Sequence, residues 1–459
     1  MNRKRAMILC ASLSIASIAS ISATTDVGAT PLPIDVRTQQ LSNGLRVVLS
    51  RNTASPTVAI AVYYDVGSRD EERGRSGFAH LFEHMMFEGS ANAPKGTFDR
   101  LMDQSGNPDA NGTTSEDRTN YYETLPANAL GVGLWLEADR MRALSVTAES
   151  FENQREVVLE ERRQSYEDQP YGLAQLRREA LVWGDYYPYA HTAIGEPEDL
   201  RAATFDQVVA FHRRYYVPNN AVLSISGAIE YDAATSLVRR YFEAIPRAQD
   251  PVRPTFAPPS PIERPINETM VDPLAQRPGF WVAYRIPPRR HADAYALELL
   301  STILGQGESS RLYRTLVRER ELCNSVEVSA EVRRGPGVFA LWSVVAERKR
   351  PAEALAAIDE ALARLVRDGV TAEELESAKI RKRAAYLFGL ESNAARARAL
   401  AEHMMYDGDA ALLRTELDRY LSVTEEDVRR VARTYLDAQR RVVLEVAPPA
   451  GRGARRGAR

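Results

Sequence analysis

An internal repeat constrains the fold of this chain more than any other feature of its sequence. Residues 204–225 resemble residues 424–446, and the matching positions lie 220 residues apart. These positions are Thr204 and Thr424, Val208 and Val428, Arg213 and Arg433, and Tyr215 and Tyr435. In both copies a helix that begins at a capping threonine leads into an apolar strand. Because the match extends through the helix into the strand, the repeat predicts two halves of similar construction.

A proline-rich segment separates the two halves. Its seven prolines are Pro246, Pro251, Pro254, Pro258, Pro259, Pro261 and Pro265. Few apolar residues accompany them, which is typical of an extended linker. We therefore predict a first domain at residues 33–245, a linker at residues 246–266 and a second, homologous domain at residues 267–448. The total length of 459 residues also favours more than one domain.

Both halves mix strand patterns with helix patterns. Residues 44–49 and 57–64 alternate in the way that neighbouring strands do. Residues 352–367 and 372–387 have helical periodicity, and the second of these stretches follows the capping pair Thr371 and Glu374. This mixture predicts the α+β fold class.

His80, Glu83 and His84 form the motif that carries chemistry. On a helix, residues four apart share a face, so both imidazoles can point at one ion with the carboxylate beside them. Two imidazoles are part of a catalytic zinc site, which usually has three protein ligands and an open position for water. A histidine pair at this spacing is often only solvated or hydrogen-bonded. The other four histidines have no partner at ligand spacing, and we expect them to be structural: His191, His212, His291 and His403.

The segment Gly77–Gly89 resembles the active-site helix of the pitrilysin and mitochondrial-processing-peptidase family of zinc peptidases, which carry the order H-x-x-E-H. The resemblance covers nearly all of the chain after residue 29. It implies that each half is a mostly antiparallel sheet backed by helices. It also implies that the two domains form half of a clamshell, as in the half-size branch of the family.

The resemblance further implies a third metal ligand on a second helix. It places Glu161 in this role, 77 residues after His84. Glu160 stays as the alternative, because neighbouring residues point about 100° apart around a helix and only one of them can face the ion. Gln154 stands where many relatives have a glutamate, and we expect that difference to affect the catalytic rate more than metal binding.

These assignments imply one zinc ion per chain and a hydrolytic reaction. Zinc held by His80, His84 and Glu161 would lower the pKa of bound water to about 7 and polarise a carbonyl group. Glu83 would be the general base that takes the proton of the water and gives it to the leaving amine. Imidazole and carboxylate ligands also accept cobalt or manganese.

Residues 111–122 are the candidate peptide-binding segment. They are rich in β-branched and aromatic residues, and in similar family members this region forms an edge strand beside the metal. An unpaired edge can accept an extended peptide as an added strand. We name Asn111, Thr113 and Tyr122 as candidate substrate-binding residues, with a plain hairpin as the alternative interpretation.

The second half departs from the family pattern. Full-length family members have an arginine and a tyrosine that reach the substrate from this half, but the corresponding positions here are Val317 and Asn324. A shift of one residue would bring in Arg318 but no tyrosine. We therefore expect a heterodimer in which a homologous, non-catalytic subunit supplies the missing pair, and a homodimer is the alternative.

The N-terminus is typical of an export signal. Positively charged residues 2–5 precede an apolar stretch at residues 6–21, which is too short and too rich in serine for a membrane span. We predict a signal peptide at residues 1–29 and a periplasmic location. Cys10 is a poor match for a lipoprotein site. After cleavage Cys323 is the single cysteine, which excludes an internal disulfide bond.

Charge and hydropathy exclude other classes of function. The net charge of −3 gives no sign of nucleic-acid binding, and no later segment is apolar enough to span a membrane. Residues 449–459 are expected to form a flexible basic tail. The sequence thus predicts a zinc endopeptidase that cleaves unfolded oligopeptides in a closed chamber. The alternatives are a catalytically silent structural subunit and a processing peptidase with one dedicated substrate.

Overall fold

The computed structural model describes residues 31–106 and 110–449. The predicted signal peptide and all but the first residue of the predicted tail lie outside these residues. In the described chain, helices and strands are mixed throughout, which confirms the predicted α+β class. Among the same residues, no helix has the length and apolar character that crossing a bilayer requires.

The first half builds one sheet with helices around it. Its strands are β1 (Arg37–Gln40), β2 (Arg46–Arg51), β3 (Thr57–Tyr64), β4 (Ala110–Thr114), β5 (Thr119–Pro126) and β6 (Ala221–Gly227). Its helices are α1 (Phe78–Met85), α2 (Thr97–Gln104), α3 (Leu130–Ala143), α4 (Ala148–Arg162), α5 (Gly172–Trp183), α6 (Tyr187–Ala190), α7 (Pro197–Ala202), α8 (Phe205–Tyr215) and α9 (Tyr231–Phe242). The strand order is β1-β2-β6-β3-β5-β4, which leaves β4 at an edge.

The second half builds a second sheet in the same way. Its strands are β7 (Ile266–Val271), β8 (Gly279–Ile286), β9 (Cys323–Glu331), β10 (Gly337–Val345) and β11 (Val442–Ala447). Its helices are α10 (Ala292–Gly305), α11 (Pro351–Asp368), α12 (Ala372–Phe388), α13 (Asn393–Asp407), α14 (Glu416–Leu421) and α15 (Glu425–Tyr435). The strand order is β7-β11-β8-β10-β9.

The two sheets share one topology, as the sequence repeat predicts. Strands β2, β6, β3, β5 and β4 of the first sheet correspond in order to β7, β11, β8, β10 and β9 of the second. The first pair in each series is parallel and the following pairs are antiparallel. The repeated helices α8 and α15 both begin at a threonine whose hydroxyl accepts a backbone N–H of the first turn. Among the strands of the described residues, only β1 is additional, and it lies at the edge of the first sheet.

Each half contributes a helix that packs on the sheet of the other half. The α13 side chains of Leu400 and Ala401 are buried with Ala59 and Val222 of the first sheet. In return, α5 buries Trp183 together with strands of the second sheet. The two hydrophobic faces are therefore covered reciprocally, and neither sheet can bury both of its faces within its own half.

The segment between the halves contacts both of them, because Arg253 binds the first half and the Ser260 carbonyl accepts a hydrogen bond from Arg285 of β8. Within the described chain, residues 243–265 contain neither helix nor strand. Arg253 ties this segment down, because its guanidinium donates to the Asp70 carboxylate at 2.7 Å and to the Asp65 carbonyl at 2.5 Å. The lack of helix and strand agrees with the many prolines, and the linker and the domain limits stay a prediction.

Candidate metal centre

Helix α1 presents the H-x-x-E-H motif on one face. The opposite face buries Phe78, Leu81, Phe82 and Met85 in the core of the first half. This apolar pattern leaves His80, Glu83 and His84 facing away from the core, with the two imidazole rings 4.8 Å apart between centroids. The helix starts after Gly77, whose φ of 89° is in the left-handed region that glycine adopts without strain.

Helix α4 brings a carboxylate to the two imidazoles. Glu161 Oε2 lies 3.2 Å from His84 Nε2 and 3.7 Å from His80 Nε2. The ligand atoms of the three residues all lie within 4.8 Å of one another. Glu160 faces away and binds the guanidinium of Arg163 at 2.6 and 2.8 Å. The fold therefore directs Glu161, and not Glu160, to the histidines.

This set of atoms fits a tetrahedral zinc ion. Zinc bonds to nitrogen and oxygen are about 2.0–2.2 Å long, so tetrahedral ligand atoms stand about 3.3–3.5 Å apart. The observed separations of 3.2 and 3.7 Å lie on either side of this range. Two imidazoles and one carboxylate are also a donor set that zinc accepts in catalytic sites, where a fourth position stays open.

The charges of the three residues suit a cation. Burial and the neighbouring His84 lower the pKa of His80 to about 4, so its imidazole is neutral at pH 7. The hydrogen bond with His84 lowers the pKa of Glu161, which stays ionised. Burial acts to lower the pKa of His84, but the hydrogen bond and charge of Glu161 outweigh it and raise this pKa. A metal ion must therefore compete with a proton on His84.

Glu83 lies beside this cluster under the edge strand β4. The Thr114 hydroxyl donates to Glu83 Oε2 at 2.6 Å. Burial raises the pKa of Glu83, and the hydrogen bond from Thr114 acts in the opposite direction. A Cβ atom at Gly112 would lie 2.9 Å from Glu83 Cγ, so glycine lets the strand approach the carboxylate closely.

Gly112 and Thr114 also present the open edge of the sheet. The Ser115 amide donates to the Arg118 carbonyl at 2.9 Å, which makes them a hydrogen-bonded pair. Because bonded and non-bonded pairs alternate in an antiparallel ladder, the main-chain groups of Gly112 and Thr114 turn outward. The sequence analysis did not single out either residue. Successive side chains of a strand point to opposite faces, so this alternation places Gly112 and Thr114 on the face opposite Asn111 and Thr113.

The side chains of Asn111, Thr113 and Tyr122 lie on the other face of the sheet. Asn111 is paired with Tyr122 in the ladder, and Tyr122 packs under the Arg398 guanidinium of α13 at 4.5 Å. Thr113 donates its hydroxyl proton to Asn120. Glu83 faces Gly112 and Thr114 instead, so the predicted substrate-binding side chains are not adjacent to the predicted base. Their assignment as substrate-binding residues stays a prediction.

The structure also shows the surroundings of three residues that differ from the family pattern, which are Gln154, Val317 and Asn324. Gln154 Nε2 donates to Glu88 at 2.7 Å, and Lys95 binds the same carboxylate at 2.8 Å. In the second half, Val317 packs against the hydrophobic core and Asn324 is exposed on β9. Val317 has no polar group, and the Asn324 amide has neither the positive charge of an arginine nor the phenol of a tyrosine.

A cavity between the two halves opens next to Thr114. Its volume is about 580 Å³. It is bounded by β4 and Tyr166 on one side and by strands of the second sheet on the other, including Trp281 and Trp342. Glu83, the predicted base, therefore lies near space that is large enough for peptide side chains.

Two family profiles match this chain. The profile described as Insulinase (Peptidase family M16) matches residues 46–186, and the profile described as Peptidase M16 inactive domain matches residues 202–382. The zinc protease PqqE of Helicobacter pylori is 31% identical over 406 residues, which are 86% of this chain and 89% of that protein. This chain belongs to peptidase family M16. The four residues of the metal centre all lie in the part matched by the first profile.

Solved structures agree with this M16 assignment. The crystal structure of a protease from Helicobacter pylori matches with a TM-score of 0.86 and 27% identity, over 90% of this chain and 100% of the other. The periplasmic protease PqqL of Escherichia coli shares the fold, with a TM-score of 0.73 and 21% identity. The match covers 92% of this chain and 48% of PqqL, so this M16 chain corresponds to about half of that protein.

Proposed function

We propose that this M16 chain is a zinc endopeptidase that hydrolyses unfolded oligopeptides with Glu83 as the general base. One observation carries the proposal: Glu161, from a separate helix, meets His80 and His84 at distances that suit one ion. The relative from Helicobacter pylori is also named as a zinc protease. A zinc ion held by the three residues would polarise the peptide carbonyl and acidify the attacking water.

Glu83 moves the proton in this proposal. Thr114 holds Oε2 of its carboxylate, which leaves Oε1 to accept a proton from the attacking water. The same carboxyl group then gives the proton to the nitrogen of the departing amine. Burial raises the pKa of Glu83, which makes the carboxylate a stronger base than an exposed glutamate.

The edge strand β4 positions the peptide. The Gly112 carbonyl and the main-chain groups of Thr114 can pair with an extended substrate as an added strand. The Gly112 amide can join them once it releases Asn111 Oδ1, to which it donates at 2.8 Å. Such pairing reads the main chain and tolerates many sequences. An unfolded segment satisfies this requirement, whereas a folded protein has few free strands to offer.

The proposal also includes a homologous partner subunit and a periplasmic location. The PqqL match shows this fold as about half of a longer chain, which supports a second, similar body over the cleft. Val317 and Asn324 favour a partner that supplies the missing arginine and tyrosine over a second copy of this chain. The periplasmic location depends on the export signal at residues 1–29.

A matched pair of variants tests the proposal. Glu83→Gln should retain one zinc per chain but lose hydrolysis of a quenched peptide by about 10²–10⁴-fold, the usual contribution of a general base. Glu160→Gln changes an exposed carboxylate on α4 and should retain both zinc and activity. Full activity of zinc-loaded Glu83→Gln would remove Glu83 from its role.

The second profile favours one competing function. Its description as an inactive domain covers residues 202–382, and a catalytically silent structural subunit is therefore the alternative. Zinc content and turnover separate the two functions. Stoichiometric zinc without peptide cleavage, with the homologous partner present, would support the structural role.

A further inference from the structure

The segment His191–Glu196 contacts residues at the start of α1 and at the end of α4, the two helices of the candidate metal centre, although it contributes no ligand. It lies between α6 and α7, outside the H-x-x-E-H motif and the Glu161 helix. We propose that this segment sets the position of α1 relative to α4, with His191 held as an imidazolium ion against Glu71. The proposal rests on the zinc site inferred above and assigns a positioning role to residues that do not touch the metal.

The hydrogen bonds of His191 define its charge. Its Nδ1 lies 2.8 Å from the Tyr187 carbonyl oxygen, and its Nε2 lies 3.0 Å from the Ser68 carbonyl oxygen and 2.9 Å from Glu71 Oε2. A carbonyl oxygen, which can only accept, lies beside each ring nitrogen, so both nitrogens donate, and only the imidazolium form can do so. The ring is buried and stacks on Tyr187 at 4.2 Å.

Glu71 transmits this contact to the start of α1. Its Oε2 accepts the Gly77 amide at 3.0 Å, and its Oε1 accepts the Ala79 amide at 2.8 Å. Gly77 has no side chain with which to cap the helix, so Glu71 satisfies free N–H groups of the first turn in its place. A carboxylate is also favoured there by the helix dipole. The next residue after Ala79 is the ligand His80.

The other end of the segment contacts α4 next to Glu161. Arg162 Nε donates to the Gly195 carbonyl at 3.1 Å, and Arg162 Nη2 binds the Glu196 carboxylate at 3.0 Å. Gly195 also packs on Gly77, because a Cβ atom at position 195 would lie 2.5 Å from the Gly77 Cα atom. The same few residues therefore hold the start of α1 and the end of α4.

This arrangement has a clear energetic consequence. His80 and Glu161 must meet within bonding reach of one ion, but they belong to helices that are far apart in sequence. Groups that orient metal ligands without binding the metal typically change metal affinity by about 10- to 100-fold when they are removed. We expect the segment to act through metal affinity and catalytic rate and to leave substrate binding unchanged.

The test measures zinc affinity by competition with a chromogenic chelator, together with kcat and KM for a quenched peptide. His191→Gln should weaken zinc binding by about 10- to 100-fold and lower kcat, with little change in KM. His403→Gln is the matched control, because His403 is another buried histidine that binds a carboxylate, Asp407, at 2.9 Å. It lies on α13, and its substitution should leave zinc affinity unchanged.

Glu196→Gln keeps the test decisive if His191→Gln does not fold. The Glu196 side chain is half exposed, so this variant should fold normally and weaken zinc binding by a few fold through its contact with Arg162. Unchanged zinc affinity in the folded variants would overturn the proposal, and so would an equal loss in His403→Gln. A wild-type chain that binds no zinc would instead refute the metal centre itself.

Discussion

Helices α1 and α10 occupy corresponding places in the two halves, and they differ in what they expose. In the sequence, α1 follows β3 and precedes the edge strand β4. In the same way, α10 follows β8 and precedes the edge strand β9. Helix α1 buries one face and turns two histidines and a glutamate to the cleft. Helix α10 is apolar along most of its surface, and its Glu298 is bound to Lys382 at 2.8 Å and to the Tyr420 hydroxyl at 2.9 Å.

The two halves share a fold but differ in the residues that could take part in a reaction. The strand order and pairing directions are the same in both halves, so the metal centre is not needed to form the topology. What distinguishes the halves is the identity of a few side chains on one helix face and the glutamate that a second helix delivers. In the proposed function the first half therefore carries the reaction, while the second half helps to enclose the cleft.

The largest expected effect removes a metal ligand from α1. His84→Ala should weaken zinc binding by more than about 100-fold, because it removes a direct ligand and not merely an orienting group. Metal analysis after dialysis checks this outcome. Glu298→Gln on α10 is the control and should retain zinc, and loss of zinc from both variants would contradict the distinction between the two helices.

Core substitutions compare the buried faces of the same helices. Leu81→Ala in α1 and Leu300→Ala in α10 each truncate a fully buried leucine. Each should lower the free energy of unfolding by about 2–5 kcal/mol, which urea denaturation measures. Only Leu81→Ala should also weaken zinc binding, because it loosens the helix that carries the ligands. Equal effects on zinc would show that the halves are coupled more tightly than their separate cores suggest.

Substitution of Gly112 tests the contact between β4 and the base. Gly112→Ala places a methyl group 2.9 Å from Glu83 Cγ, which must displace the carboxylate or the strand. We expect kcat to fall by about 10- to 100-fold, in line with the effect of small misplacements of catalytic groups. Thr113→Ala lies on the opposite face of β4 and should change kcat by less than about threefold if only the near face matters.

The smallest expected effect is a shift in pH dependence. Glu83 must be ionised to act as a base, and burial raises its pKa, so kcat should fall with decreasing pH at a higher pH than an exposed glutamate would give. Thr114→Val removes the hydrogen bond that lowers this pKa and should move the acid limb to still higher pH. An acid limb that stays in place would show that another group controls it.

Local patterns predicted the parts of the fold that depend on local forces. The predicted helices at residues 352–367 and 372–387 correspond to α11 and α12, and the strand predicted at residues 57–64 is β3. The repeat around Thr204 and Thr424 predicted the shared topology of the two halves. The exchange of α5 and α13 between the halves was not predicted, because an apolar helix face does not specify which sheet will cover it.

The sequence by itself determined the H-x-x-E-H face, since helical spacing alone brings His80 and His84 together, and it determined the division into two similar halves. Only the tertiary structure decided that Glu161 turns to the histidines while Glu160 turns to Arg163. It also decided that Gly112 and Thr114, and not Asn111 and Thr113, face the base. The reason is that a rotation of about 100° per residue in a helix, or alternation in a strand, leaves the direction of each face open until distant segments pack against it.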